Sequence, residues 1–301
     1  MKRSRRVIAL AERGFAPVRG LRFPYARLMT TTLVRDALDE DAATNDITSI
    51  ATIVSDRRAH AAIVAREWGV IAGIPLVREA FRQRDPKASV RTSVRDGQRV
   101  RTSTSVVFIT GHARGLLSAE RVALNFLQHL SGIASLTARY VDAVKGTGAK
   151  ILDTRKTTPG WRRLEKYAVR AGGGLNHRMD LSSAVLIKDN HLAALNGDVE
   201  LAVRRAREAA PADTRVEVEC NSLDQVRSAL IAEADVIMLD NMSDSMMREA
   251  VEIVNGRAVT EASGGVTLER VRSIAESGVD WISVGALTHS TKAMDLALDF
   301  E

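Results

Sequence analysis

From Gly148 onward, short apolar runs alternate with amphipathic stretches, and this alternation constrains the fold more than any other feature of the sequence. The runs at 151–152, 184–187, 216–220, 236–239, 258–262 and 281–284 read as strands, and 199–209, 223–232, 245–254 and 268–277 as the helices between them. Ser222 and Gln225 stand at capping-box spacing where one of those helices begins. Parallel strands require crossover connections, so repeated β-α units of roughly 20–30 residues demand a parallel sheet or barrel. No Gly-x-Gly-x-x-Gly follows a strand and no Walker A sequence occurs, which disfavours a dinucleotide or P-loop site.

The first half is written differently. Residues 32–49 carry Leu33, Val34, Ala37 and Leu38 at helical spacing, and one short helix is expected to end around Asp46. Runs at 59–66, 68–72, 89–95 and 105–111, rich in Val, Ile and Thr, predict antiparallel strands, with a helix over 75–83 among them. A long helix is expected over 118–145, where Val122, Phe126, Leu127, Leu130, Ile133, Leu136 and Val141 recur at helical steps. Gly132 is expected to kink or divide it, and the helix to act as a hinge between two domains.

The 301 residues carry 43 Lys+Arg against 37 Asp+Glu, a formal charge of +6 that suggests a polyanionic partner. Its distribution argues otherwise. Residues 1–29 hold eight basic groups against Glu12 alone, a net +7, which leaves the other 272 residues at −1. This segment is expected to be a disordered basic extension, a reading that shares the ground with a translation start at Met29; nucleic-acid binding and organelle targeting stand behind both. Cys220 is the single cysteine, so an internal disulfide is impossible, and a reduced compartment follows. No apolar run approaches the ~20 residues of a membrane helix.

Polar residues crowd the predicted strand ends, where the reacting groups of a β/α barrel gather. Arg155, Lys156, His177, Arg178 and Lys188 form a cationic set that suits a substrate with several negative charges. Ser263-Gly264-Gly265 precedes a helix expected to begin near Thr267, and Gly285-Ala286 ends the next strand; two such turns in succession favour phosphate binding. Glu217 and Glu219 share a face of their strand, and Glu219 with Asp240 would hold sugar hydroxyls or Mg²⁺; charge balance for the nearby lysines is the plainer alternative. Cys220 alternates to the outer face and reads as packing. His289 is a further candidate at the phosphate loop.

These motifs carry a family resemblance. Asp-Thr-Arg-Lys-Thr-Thr-Pro-Gly at 153–160, Gly-Gly-Gly-Leu-Asn-His-Arg at 172–178 and Leu-Ile-Lys-Asp-Asn-His at 186–191 resemble quinolinate phosphoribosyltransferase. Val-Glu-Val-Glu (216–219), Met-Leu-Asp-Asn (238–241), Glu-Ala-Ser-Gly-Gly-Val (261–266) and Ser-Val-Gly-Ala-Leu-Thr-His-Ser (283–290) continue the match. Upstream it extends through Arg66-Glu67 and Gly73 and through Glu120-Arg121 and Leu130-Ser131-Gly132-Ile133, so that it covers roughly 32–300.

The resemblance implies an α/β fold: an incomplete, TIM-like parallel β/α barrel plus an N-terminal α/β open-faced sandwich. The corresponding division is 1–29 as extension, 30–132 as sandwich, 133–290 as catalytic barrel and 291–301 as a C-terminal helix returning to the N-terminal domain. It also implies a cytoplasmic homodimer with sites shared between subunits and no nucleic-acid or membrane partner. Quinolinate and phosphoribosyl pyrophosphate (PRPP) would be the substrates, with Mg²⁺, and nicotinate mononucleotide, pyrophosphate and CO₂ the products, on the de novo route to NAD. By position, Arg155, His177, Arg178 and Lys188 resemble the groups around the quinolinate carboxylates, and Arg121 the arginine given by the neighbouring subunit. Lys156, Glu219 and Asp240 resemble those around the phosphoribosyl group and its metal, with Lys188 joining them as a catalytic candidate. Ser263, Gly264, Gly265 and Gly285 would hold the 5′-phosphate, with Thr154 and Ala286 as further substrate contacts.

Two departures are visible: Asn45-Asp46 where the family usually shows Gly-Asp, and Asp180, an acid close to Arg178 in sequence, where glycine is common. The alternatives are a same-fold relative of the molybdenum-transport-associated type with another acceptor, a Schiff-base aldolase using Lys156 or Lys188, and a nucleic-acid binder resting on 1–29 alone.

Overall fold

The computed structural model of the chain describes residues 20–300. Its first half runs through α1 (Arg27–Glu40), α2 (Ile47–Thr52), β1 (Arg58–Ala65), β2 (Gly69–Val70), α3 (Ile74–Arg84), β3 (Ser89–Thr92), β4 (Arg99–Val100), β5 (Ser105–His112) and α4 (Ala113–Ala143). The second half begins β6 (Lys150–Leu152), α5 (Arg162–Ala171), β7 (Val185–Ile187), α6 (Asp189–Ala193), α7 (Val199–Ala209) and β8 (Val216–Cys220). It ends α8 (Leu223–Ile231), β9 (Val236–Asp240), α9 (Asp244–Val254), β10 (Val259–Ser263), α10 (Val271–Glu276), β11 (Trp281–Ser283), α11 (Ala286–His289) and β12 (Leu296–Phe300). The described residues fall into two units, one of 20–138, 163–173 and 290–300, the other of 139–162 and 174–289.

The first unit is built on an antiparallel sheet in the order β12-β1-β5-β3. The two-residue period of β1 turns Ala59, Ala61 and Ile63 inward against Ile109 and Val107, while Phe108 and His60 remain on an exposed face. Residues 291–301 were expected to form a helix. Instead Leu296–Phe300 is a strand that pairs antiparallel with β1, Ala61 opposite Phe300 and Ala65 opposite Leu296. Sheet hydrogen bonds available along the β1 edge outweigh the weak helical pattern of this short segment.

Three further expectations change. The helix expected over 32–49 is two helices, and Asp46 starts the second, its carboxylate accepting from Ser49 N–H at 3.0 Å. Gly132 does not divide α4, which is continuous over 31 residues. A side chain at 132 would meet the Lys292 carbonyl at 2.3 Å, so glycine is required by the chain crossing over it. Residues 20–29, placed in the extension, are structured: α1 begins at Arg27, and Phe23 meets Tyr167 edge-on with centroids 5.4 Å apart. The rest of that extension, 1–19, lies outside the described residues.

The second unit is a six-stranded parallel sheet, β6-β11-β10-β9-β8-β7. Helices cross between most neighbours as the β-α alternation requires, and their starts are capped locally. Asp198 accepts from Leu201 N–H at 2.8 Å and Ser243 from Met246 N–H at 3.3 Å. Ser222 accepts from Gln225 N–H at 3.3 Å, and Gln225 returns the bond one residue further out, to Asn221 N–H at 2.8 Å. Leu152, Val236, Val259 and Trp281 form a layer in the barrel-like interior with Leu175 packed against it. The helix expected over 268–277 begins only at Val271, because Thr267 opens a turn that accepts from Arg270 and Val271 N–H.

Candidate active site

Parallel strands deliver their C-terminal ends to one side of the sheet, and here those ends surround a cavity of about 870 Å³. Its walls carry Thr154, Arg155 and Lys156 after β6, Lys188 after β7, Glu219 on β8, Asp240 on β9, Ser263-Gly264-Gly265 after β10 and Gly285-Ala286 after β11. His177, Arg178 and His289 line it too. Every sequence-predicted site residue except Arg121 therefore reaches this one cavity. Arg121 is exposed on α4, in the other unit. That unit holds its own cavity of about 920 Å³, around Phe23, Ile74, Arg78 and Tyr167, which contains none of the predicted residues.

Local bonding explains how the loops hold their side chains. Leu175 bridges in parallel to Leu152, so Asn176-His177-Arg178 continue past the end of β6. The buried Asp153 carboxylate fixes that continuation, accepting from Asn176 Nδ2 at 2.5 Å and from His177 N–H at 2.9 Å. Lys188 N–H donates to His191 Nδ1 at 2.9 Å, and its Nζ pairs with Glu219 Oε2 at 2.5 Å. Thr288 Oγ1 donates to the Lys156 carbonyl at 2.7 Å, tying α11 to the β6 loop.

Two of the cations are not neutralised by neighbouring acids. Among the described residues neither Arg155 nor Arg178 has a carboxylate within ion-pair distance, and Arg155 Nε is buried without a hydrogen-bond partner. Burial, then repulsion from Arg155, holds the Arg178 guanidinium below its usual range. Two half-buried guanidiniums that repel each other form a place for a multiply charged anion. Among the described residues Asp180 makes no ion pair with either arginine: its exposed carboxylate accepts from Ser183 Oγ at 2.6 Å and Ser182 Oγ at 2.8 Å, which hold it down to about 2.

Below the cations lies a feature that sequence reasoning left unassigned. His177 Nε2 is 3.0 Å from Glu217 Oε2 and 3.6 Å from Glu261 Oε2, both acids being fully buried. Arg178 N–H donates to His177 Nδ1 at 2.8 Å, which puts the ring proton on Nε2, toward the carboxylates. Burial disfavours the charged imidazole, but Glu261 and Glu217 outweigh it and raise its pKa. Arg215 closes the cluster, 3.8 Å from Glu217 and 5.4 Å above the Trp281 ring. The only available signal was period two: Arg215, Glu217 and Glu219 face one way along β8.

The phosphate-type turn is held by backbone geometry. Gly264 and Gly265 have φ of +86° and +58°, and Asn241 N–H donates to the Ser263 carbonyl at 2.9 Å. The helix after it is six residues long and starts beyond Thr267, so the loop's own N–H groups, and not a helix terminus, are what an anion would meet. Cys220 faces away and is buried, and burial pushes its thiol up to about 12, which fits packing.

A barrel-like α/β unit with a polycationic mouth, paired acids and a late glycine turn defines a phosphoribosyltransferase-type site. The family profile described as "Quinolinate phosphoribosyl transferase, N-terminal domain" matches residues 46–131, and its C-terminal counterpart matches 133–299. The chain is 45% identical over 274 residues to nicotinate-nucleotide pyrophosphorylase [carboxylating] of Mycobacterium leprae, covering 88% of this chain and 95% of that protein. The probable enzyme of that name in Bacillus subtilis is 43% identical over 260 residues, covering 86% and 89%. A crystal structure of nicotinate-nucleotide pyrophosphorylase from Ehrlichia chaffeensis superposes with a TM-score of 0.85 at 42% identity, covering 90% of this chain and 98% of that one.

The chain belongs to the quinolinate phosphoribosyltransferase family. Its activity is that of a carboxylating nicotinate-nucleotide pyrophosphorylase, in NAD biosynthesis, and its fold joins an N-terminal antiparallel-sheet domain to a barrel-like parallel α/β domain.

Proposed function

We propose that the cavity at the strand ends is where quinolinate and PRPP meet. Arg155, Arg178 and Lys188 take the two carboxylates, while Lys156, Glu219 and Asp240 surround the phosphoribosyl group. Ser263, Gly264, Gly265 and Gly285 hold its 5′-phosphate, with Thr154 and Ala286 beside them. The observation that supports this reading best is the convergence of Arg155 and Arg178 without an acidic partner. His177 supports the carboxylate site from below, since both its ring nitrogens are engaged within the protein.

Departure of pyrophosphate builds positive charge on the anomeric carbon of ribose, and the enzyme's part is to hold the pyridine nitrogen against that carbon. The pyridinium charge then stabilises the electron pair left on the ring when the adjacent carboxylate departs as CO₂. No covalent nucleophile is needed. Glu219 and Asp240 fit Mg²⁺: two carboxylates on neighbouring strands are few, and Mg²⁺ completes its shell with water and substrate phosphates. When bound, Mg²⁺ would neutralise charge on the leaving pyrophosphate.

Mixing the protein with quinolinate, PRPP and Mg²⁺ should release CO₂. Nicotinate in place of quinolinate should react at least about 100-fold more slowly, because one cationic partner is left unpaired. Equal use of nicotinate would refute the dicarboxylate assignment, and turnover undiminished by EDTA would remove Mg²⁺ from it.

A homodimer with shared sites belongs to the same reading, with Arg121 of the partner subunit completing the carboxylate site. Arg121→Ala and Lys188→Ala proteins, each inactive alone, should recover up to about a quarter of wild-type activity when mixed, since random pairing restores one intact site in half the dimers. No recovery in verified mixed dimers would exclude the shared site. A cytoplasmic location is supported by the free, buried Cys220; among plant relatives, one from Nicotiana tabacum is named mitochondrial and one from Oryza sativa chloroplastic.

A further inference from the structure

Glu261 stands on β10 beside Met238 and Trp281, fully buried, yet it reaches the floor of the active-site cavity. Neither of its carboxylate oxygens has a hydrogen-bond partner at normal distance, and the nearest nitrogen of a basic side chain is His177 Nε2, at 3.6 Å. The charged and titratable groups that face it are few. They are Glu217 and Arg215 from β8 and its approach, and His177 from the 174–184 segment, with the Ser283 hydroxyl from β11. Met238 of β9 brings no charge. Arg178 and Arg155 form the cavity wall above.

Counting charge in this cluster gives an imbalance. Arg215 lies 3.8 Å from Glu217, and the single Nε2 proton of His177 is also shared mainly with Glu217. Glu217 is accordingly held low, chiefly by His177 and Arg215 against the cost of its burial. For Glu261 the same groups compensate less: His177, the Ser283 hydroxyl and Arg215 favour its charge, but burial and the Glu217 charge outweigh them. A second buried carboxylate beside the first is pushed toward its protonated form.

We infer that Glu261 takes up a proton when the dicarboxylate substrate settles on Arg155 and Arg178, so that affinity for quinolinate falls as pH rises through the neutral range. This rests on the reading of Arg155 and Arg178 as the carboxylate site. The reaction is balanced by solvent: ionised Glu261, one proton and the substrate dianion give the complex with a neutral Glu261 carboxyl. Burial and the Glu217 charge already push Glu261 up to about 7, and two further negative charges in the same cavity raise it again. The substrate supplies no such proton, because carboxylates of this kind ionise near pH ~4.

The sign follows from linkage. Below the free-enzyme pKa, Glu261 is already neutral and affinity does not depend on it; above it, each pH unit costs up to about tenfold in affinity until the pKa of the complex is reached. Calorimetry of quinolinate binding at pH 7.5, in buffers of different ionisation enthalpy, should show uptake of more than about half a proton per site. The KM for quinolinate at saturating PRPP should rise across pH 6–8.5. In Glu261→Gln the uptake should vanish and the KM should become flat with pH.

Wild-type protein that binds quinolinate without proton uptake overturns the inference, whether or not the variant folds. So does a Glu261→Gln protein with wild-type uptake. Elemental analysis finding a stoichiometric transition metal lost on replacing His177, Glu217 or Glu261 overturns it too, since a cation would neutralise the cluster. Arg178→Ala separates this from the underlying reading: tight quinolinate binding by that variant refutes the carboxylate site itself, whereas lost binding there with no uptake in wild type refutes only Glu261.

Discussion

Arg178→Ala is expected to lower kcat/KM for quinolinate by roughly 100- to 1000-fold, from one or two lost charge-assisted bonds at about 1.5–3 kcal/mol each. The guanidinium is held in place before substrate arrives: Nη1 donates to the Ala184 carbonyl at 3.2 Å, and the main chain beneath is pinned to His177 Nδ1. Arg178→Lys keeps the charge but loses the planar fork, so it should recover only a small part of the loss. The KM for PRPP should change little, which separates a carboxylate contact from general damage. Steady-state kinetics with each substrate varied decide it, and a loss below tenfold would take Arg178 out of the site.

Gly264→Ala should lower kcat/KM for PRPP by about 100-fold, the penalty that follows when reacting groups are displaced by about 1 Å. At φ of +86° the position already disfavours any side chain, and a Cβ there would lie 2.2 Å from Asn241 Oδ1. Asn241 Nδ2 donates to Asp240 Oδ2 at 2.7 Å, so displacing it also moves the acid assigned to the phosphoribosyl side. The expected signature is a raised KM for PRPP with quinolinate binding, measured by calorimetry, largely kept. An unchanged KM for PRPP would mean that the loop does not hold the phosphate.

The parts of this architecture that depend on periodic burial are legible in the sequence itself. The β-α alternation after Gly148 is forced by buried parallel strands, and the cations and acids at their ends are visible because polar residues interrupt apolar runs. What escaped was polar burial. Helix α5 was missed because Glu165 and Lys166, both fully buried, break the apolar stripe that would reveal it. Glu261 reads as one more strand-end acid, and only its distance to His177 gives it a role. Leu296–Phe300 was misread because five residues with apolar and acidic positions fit either period, and the partner strand that decides between them lies more than 200 residues earlier. Asp46 reads as a terminator in the sequence because a capping carboxylate looks like loop chemistry until the N–H it accepts from is seen.

The pairing of β12 with β1 bears on how the molecule is made. The edge of the N-terminal sheet is supplied by a strand more than 200 residues further along the chain, and Gly132 leaves room for the Lys292–Ala293 backbone to pass. A nascent chain can close the β-α unit while the sheet made before it waits, one strand short, for β12. Completion of the earliest-made sheet is thus a late event in folding, governed by a contact that spans the whole β-α unit.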